Sequence, residues 1–290
     1  MLMTARSAPH TSQLDRPSRA NPPRTVGTAL AAAAAFVAFA AAAQAAPVLV
    51  LDVDFNQGSL GSVITTPALF GTAAAGLGST IVAEGGGQAV TGPNASSSSG
   101  KAMRLPVYAV LNRPNTPLAV MSIANSTTTE AINIGTQTFS WQADFSQDTN
   151  LGADTQDGDN LFQRGLAGET SQWKLSVDAH KIGCFLRVNG VGVQTPSVTI
   201  SDQSWYRAVC KRQNTSATTA TLKLTVQKWN GAAWTAVASP AAVGGAFGAL
   251  AFPVSRRMSV GGKLKSSDGT LHAQPDQFNG SIDNVQLRIG

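Results

Sequence analysis

Phe139-Ser140-Trp141-Gln142-Ala143-Asp144-Phe145 alternates apolar and polar side chains without a break. A strand with one buried face requires a period of two, because successive side chains leave the backbone on opposite sides. The same period returns in Trp173, Leu175 and Val177 against Lys174, Ser176 and Asp178, and again in Val285, Leu287 and Ile289 against Asn284, Gln286 and Arg288. Beyond residue 45 no segment keeps a helical period with caps, so strand is the dominant element. Further strands are expected over 48–55, 161–164, 182–188, 198–200, 205–211, 222–229 and 258–260.

The connections support the same reading. Asn189-Gly190 and Asn230-Gly231 each separate apolar strands, and Asn-Gly readily takes the positive φ angles of a type I′ hairpin turn. Asp157-Gly158 and Asp268-Gly269 have the same chemistry. Short strands, hairpin turns and 28 glycines point to an antiparallel sandwich, since a parallel sheet would need crossover helices. Two stretches, 85–100 and 239–248, are rich in Gly, Ser and Ala and read as exposed loops without regular structure. The first is expected to be a disordered excursion rather than the rim of a binding face.

Ahead of the strands, Arg6, Arg16, Arg19 and Arg24 precede an apolar run over 28–43 that ends in Ala43-Gln44-Ala45. Basic region, apolar run and small residues are the three parts of an export signal, with cleavage expected after Ala45. The run is shorter than the roughly 20 apolar residues of a bilayer-spanning helix, so the signal peptide is 1–45 and no membrane anchor is expected after cleavage. The leader takes four of the 21 basic residues and one of the 16 acidic, which leaves 17 against 15. The sequence pI of about 9.5 therefore belongs largely to the leader and implies no nucleic-acid partner. Cys184 and Cys210 are the only cysteines, and in an exported chain a bridge between them is expected, contributing about 3 kcal/mol. Residues 46–290 are read as one secreted domain, extracellular or periplasmic.

Over residues 160–289 the order of Asn160-Leu161-Phe162-Gln163-Arg164-Gly165, Gln172-Trp173-Lys174-Leu175-Ser176-Val177, Trp205-Tyr206-Arg207-Ala208-Val209-Cys210, Val260-Gly261-Gly262-Lys263 and Asp276-Gln277-Phe278-Asn279-Gly280-Ser281-Ile282-Asp283-Asn284-Val285 resembles the laminin-G-like, concanavalin A-like jelly rolls of secreted bacterial proteins. Leu51-Asp52-Val53-Asp54-Phe55 looks like that family's first strand, and Gly100-Lys101-Ala102-Met103-Arg104-Leu105 like a following one; 56–99 and 105–135 match poorly. The resemblance implies an all-β sandwich of two curved antiparallel sheets, six or seven strands each, with the first and last strands adjacent.

Enzymes of that class leave no trace. Glucanases of this sandwich carry a Glu-x-Asp-x-x-Glu strand, whereas the exported part holds only Glu84, Glu130 and Glu169, each alone. Alginate-lyase-like sandwiches use a Gln-x-His strand, and neither His180 nor His272 has that setting. With no Gly-x-Ser-x-Gly elbow either, no catalytic residue is expected. A structural calcium is the one cofactor the residues suggest, held by Asp52, Asp54 and Asp283 if the terminal strands pair, or by Asp154, Asp157 and Asp159. For sugar, Trp229 and Trp234 flank the Asn230-Gly231 turn and offer ring faces, with Arg256, Arg257 and Gln274 as polar partners; Trp141, Trp173 and Trp205 are expected in the core. These features favour a non-catalytic module for a glycan or glycoprotein surface. The alternatives are a protein-binding or adhesive module and, third, a polysaccharide-acting enzyme with an unrecognised site.

Overall fold

The computed structural model describes residues 46–108, 111–149, 159–216 and 218–290; the leader, the Asp157-Gly158 turn, Asp154 and Asp157 lie outside them. Strands are numbered in chain order. The first six are β1 (Val48–Asp54), β2 (Ala68–Phe70), β3 (Leu77–Glu84), β4 (Val90–Pro93), β5 (Lys101–Arg104) and β6 (Leu118–Asn125). Then come β7 (Phe139–Gln147), β8 (Asp159–Arg164), β9 (Gln172–Asp178), β10 (Lys181–Val188), β11 (Val191–Gln194) and β12 (Val198–Thr199). The last six are β13 (Trp205–Asn214), β14 (Thr219–Trp229), β15 (Trp234–Ala238), β16 (Val243–Ala246), β17 (Met258–Val260) and β18 (Gly280–Ile289).

These strands form a jelly-roll β-sandwich of two antiparallel sheets. One sheet runs β15-β14-β13-β7-β18-β1-β2, with β16, β4 and β5 attached, and the other runs β11-β10-β9-β8-β17-β6-β3, with β12 attached. The first and last strands are neighbours, paired from Val48 with Ile289 to Val53 with Val285. Alternation does the packing: Phe139, Trp141, Ala143 and Phe145 of β7 are buried, and so are Trp173, Leu175 and Val177 of β9. Trp141 from one sheet meets Trp173 from the other with ring centroids 5.7 Å apart, and Phe162 stands edge-on to Trp173 at 4.7 Å. Burying each such ring contributes roughly 1.5–3 kcal/mol. Cys184 of β10 and Cys210 of β13 are joined in a disulfide that ties one sheet to the other.

Several sequence expectations need correction. Residues 85–100 are not structureless, because β4 lies within them and pairs with β5. Likewise β16 lies within 239–248 and pairs with β14. Asn189 and Gly190 both take positive φ (51° and 81°), as a type I′ turn requires. At the other Asn-Gly only Gly231 does, because Trp229 pairs with Trp234 and leaves a four-residue loop, closed by Asn230 Oδ1 accepting from the Ala232 and Ala233 N–H groups. Trp205 is half-buried rather than in the core, since Tyr206, Ala208 and Cys210 take the inward positions of β13.

Candidate functional site

The site begins with an irregularity in β18. Asp283 pairs with Asp144 of β7, but the next pair is Gln286 with Gln142, so three steps on β18 oppose two on β7. The extra residue is a β-bulge, with Asn284 at φ 49°. Ile282 and Val285 both remain in the core. The two residues between them, Asp283 and Asn284, therefore both line the outer side of the sheet, where strict alternation would have sent only one.

The opposite edge of β18 changes partner at the same place. Ser281 and Ile282 pair with Arg104 and Met103 of β5, whereas Val285 onward pairs with β1. Between these two partners lies a cleft of about 580 Å³, lined by Asp52, Asp54, Phe70, Ser96–Ser98, Asp144, Arg207, Asp283 and Asn284. Ser96–Ser98 belong to the connection between β4 and β5, so the stretch expected to be a disordered excursion instead forms one wall of the cleft. Its anchor is Asn94, whose Nδ2 donates to Asp283 Oδ2 at 2.7 Å while its Oδ1 accepts from the Ser96 N–H and hydroxyl.

The floor is a connected polar network. Arg207 Nε and Nη2 donate to the two oxygens of Asp144, each at 2.7 Å, a bidentate pair whose fork fixes both groups. Asn284 Nδ2 donates to Asp144 Oδ2 at 3.2 Å, Gln286 Nε2 to Asn284 Oδ1 at 2.8 Å, and Arg288 Nη2 to Gln286 Oε1 at 3.0 Å. On the far side the Arg207 guanidinium carbon lies 4.5 Å from the centre of the Trp234 ring, which packs against Trp229 at 5.5 Å. At the opposite end Phe70, on edge strand β2, is 53% exposed. The cleft thus has an aromatic wall on one edge and an aromatic ring stacked on a fixed cation beyond the other.

Burial pushes the Asp283 carboxyl up to about 6, helped by the charges of Asp144 and Asp54 and opposed by hydrogen bonds from the Asn284 backbone and the Asn94 amide. Burial also raises Asp144, against the pull of Arg207, and raises Asp52, against a hydrogen bond from Gln286. Arg207 is raised in turn, first by its hydrogen bonds to Asp144.

The sequence-predicted residues divide between the two sheets. Asp52, Asp54 and Asp283 share the cleft, as the pairing of terminal strands requires. There Asp283 turns an oxygen to Asn94, Asp54 accepts from the Asn56 N–H at 2.8 Å, and Asp52 meets Gln286. Among the described residues no three His, Cys, Asp or Glu side chains are grouped to hold a metal ion. Trp229 and Trp234 do adjoin one another, but Arg256, Arg257 and Gln274 do not join them. Arg256 pairs with Glu169 at 2.6 Å, Arg257 donates to Ser122 at 3.1 Å, and both lie beside β17 in the other sheet, with the Gln274 carbonyl bonded to the His272 ring. The cation that Trp234 meets is Arg207. Sequence reasoning missed Phe70, Asp144, Arg207 and Asn284 as site residues, although the polar side of the alternation held Asp144, and the three-residue step from Ile282 to Val285 marks the bulge.

No protein-family model matches the chain. No curated protein matches it either. Among solved structures it is similar to the LG1-3 region of the laminin alpha2 chain, at 17% identity and a TM-score of 0.39, covering 56% of this chain and 29% of that one. It is also similar to the binding domain of Paraclostridial Mosquitocidal Protein 1 (12% identity, TM-score 0.44, 83% of this chain and 48% of that one). A third is the carbohydrate binding module CBM66 from Bacillus subtilis (11% identity, TM-score 0.26, 66% and 88%). The marine PL-14 alginate lyase from Aplysia kurodai also matches, at 12% identity. Similarity at this level identifies neither a family nor an activity.

Proposed function

We propose that this protein is an exported recognition module that binds carbohydrate in the β18 cleft without chemically altering it. The observation that carries the reading is one cleft combining a half-exposed ring, Phe70, with a floor of hydrogen-bonding groups already fixed in a network. A sugar presents an apolar C–H face and a set of hydroxyls. The first suits an aromatic wall, and the second suits carboxylates, which accept, and amides, which do both. Because Asp144 is held by Arg207 and Asn284, it loses little conformational freedom on meeting a ligand. The same ties argue for binding over catalysis: Asp144 is engaged on both oxygens, and Asp283 is tied to Asn94.

The test is a glycan array probed with the oxidised protein, with calcium and again with a chelator. Binding to one glycan class, weakened by Phe70→Ala and by Arg207→Ala in variants that remain folded, is the expected result. Silence across the array in both conditions would sink the carbohydrate reading and leave a protein partner in its place. Release of reducing ends from the bound glycan would replace the recognition module with an enzyme.

A further inference from the structure

We infer that the cleft takes an extended, uncharged run of saccharide chain rather than a single terminal sugar, an inference that rests on the carbohydrate reading above. The first argument is length. The lining residues run from Phe70 on β2, across β1, β18 and β7, to Arg207 on β13, so the cleft crosses four inter-strand spacings, about 19 Å. Its axis lies across the strands, because successive lining groups come from paired positions: Phe70 with Asp52 and then Gln286 in one row, Asp283 with Asp144 and then Arg207 in the next. A site for one terminal sugar would gather its polar groups round one ring; these are spread over two adjoining rows that cross the sheet. An exposed ring, Phe70, stands at one end, and Arg207, backed by Trp234 outside the cleft, at the other. A ligand that meets both Phe70 and Arg207 must span the strands between them.

The second argument is charge. Asp52, Asp54, Asp144 and Asp283 face the cleft, and its lining cation, Arg207, is already held in a bidentate pair with Asp144. Carboxylates accept hydrogen bonds from hydroxyls, but a uronate or sulfate brought among them meets four acidic groups against one lining cation that is already paired. Exclusion of anionic chains is thus a property of the floor, and selection by length a property of the two ends.

Calorimetric titration of the purified, oxidised protein tests both. The probes are cello-, laminari-, xylo- and manno-oligosaccharides, each from the monosaccharide to the hexasaccharide, with alginate hexasaccharide as the anionic comparator. One neutral series should gain at least tenfold in affinity between the disaccharide and the longest member, and alginate should bind at least tenfold more weakly than that member. Phe70→Ala, at an exposed edge position, should cost the hexasaccharide about tenfold and the disaccharide of the same series much less. Affinity independent of chain length would overturn the extended site while leaving the carbohydrate reading standing. Alginate binding as tightly as the neutral hexasaccharide would overturn the exclusion of charge. Failure of every series would overturn the carbohydrate reading itself, and this inference with it.

Discussion

Asp283 and Asp144 oppose one another across neighbouring strands, an arrangement that ordinarily costs stability when both are charged. The fold tolerates it because Arg207 neutralises Asp144, while Asp283 is held by the Asn94 amide and the Asn284 backbone N–H. The consequence for pH follows from the sign of the shift. A carboxyl near 6 in the folded chain and near 3.8 when unfolded binds its proton more tightly in the native state, so protonation favours folding. Stability should therefore fall as pH rises from about 4 to about 6, and Asp283 alone accounts for up to roughly 3 kcal/mol of that fall. Urea unfolding at pH 4.5 and pH 7 checks this: Asp283→Asn should flatten the dependence and be the more stable chain at pH 7 by about 2 kcal/mol. An unchanged slope in that variant would mean that Asp283 is not the group responsible. Removing the cation has the opposite effect. Arg207→Ala leaves Asp144, 3% exposed, without its counter-charge and should destabilise by about 3 kcal/mol in the same assay. Arg207→Lys should recover only part of that, because an ammonium cannot reproduce the bidentate fork.

At the scale of elements, regular alternation was legible in the sequence and the longest fully buried run of a strand was not. β7, β9 and the second half of β18 announce themselves by alternation, whereas β6 is Leu-Ala-Val-Met-Ser-Ile over 118–123 and buried throughout. Its inward side joins the main core, and Leu118 and Val120 on its other side are covered by Leu264 and Leu271, so only Ser122, which accepts from Arg257, is polar. Turns divide in the same way. The hairpin between β9 and β10 has no glycine or asparagine, yet Ala179 and His180 both take positive φ (44° and 62°), with His180 Nδ1 placed 3.1 Å from Asp202. The pairing of Asp178 with Lys181 leaves two residues for the turn, and the primed turns that suit such a short loop need positive φ at one or both of them whatever their propensity. An exposed alanine there is strained, so Ala179→Gly should stabilise by about 1 kcal/mol in a thermal or chemical melt. A loss of stability on that substitution would show that the turn is not strained. The cleft was half legible for a related reason. Asp52, Asp54 and Asp283 could be brought together from the expected pairing of the terminal strands, but their partners Asp144 and Arg207 depend on β7 and β13 being the next strands over, and pair order is not written in any one strand.

For the whole molecule, the sandwich is closed by elements distant in sequence. β18, the last ten-residue strand, sits in the middle of its sheet between β7 and β1, so neither the sheet nor the cleft is complete until the chain end has been placed. Pairings of this range cost loop-closure entropy before they return any burial, which makes slow folding the expectation for the reduced chain. The disulfide acts at this scale rather than locally. Cys184 and Cys210 are 26 residues apart, lie on β10 and β13, and link the two sheets through residues that are both fully buried. Constraining the unfolded chain by a loop of that length contributes about 3 kcal/mol in the chain-entropy model. Cys184→Ala with Cys210→Ala should therefore lower the urea-unfolding free energy by about that amount, and incubation of the unaltered protein with a reductant should lower it to a similar extent, because both act on the same unfolded ensemble. If the double variant lost markedly more than the reduced protein, the difference would measure packing around the two sulfurs instead, since the thiols of the reduced chain still fill that space and the alanines do not. The cleft offers an internal control: it is built from β1, β7, β13 and β18 of one sheet, whereas the bridge joins that sheet to the other. Ligand affinity measured well below the unfolding transition should change little when the bridge is removed, even as the melting temperature falls.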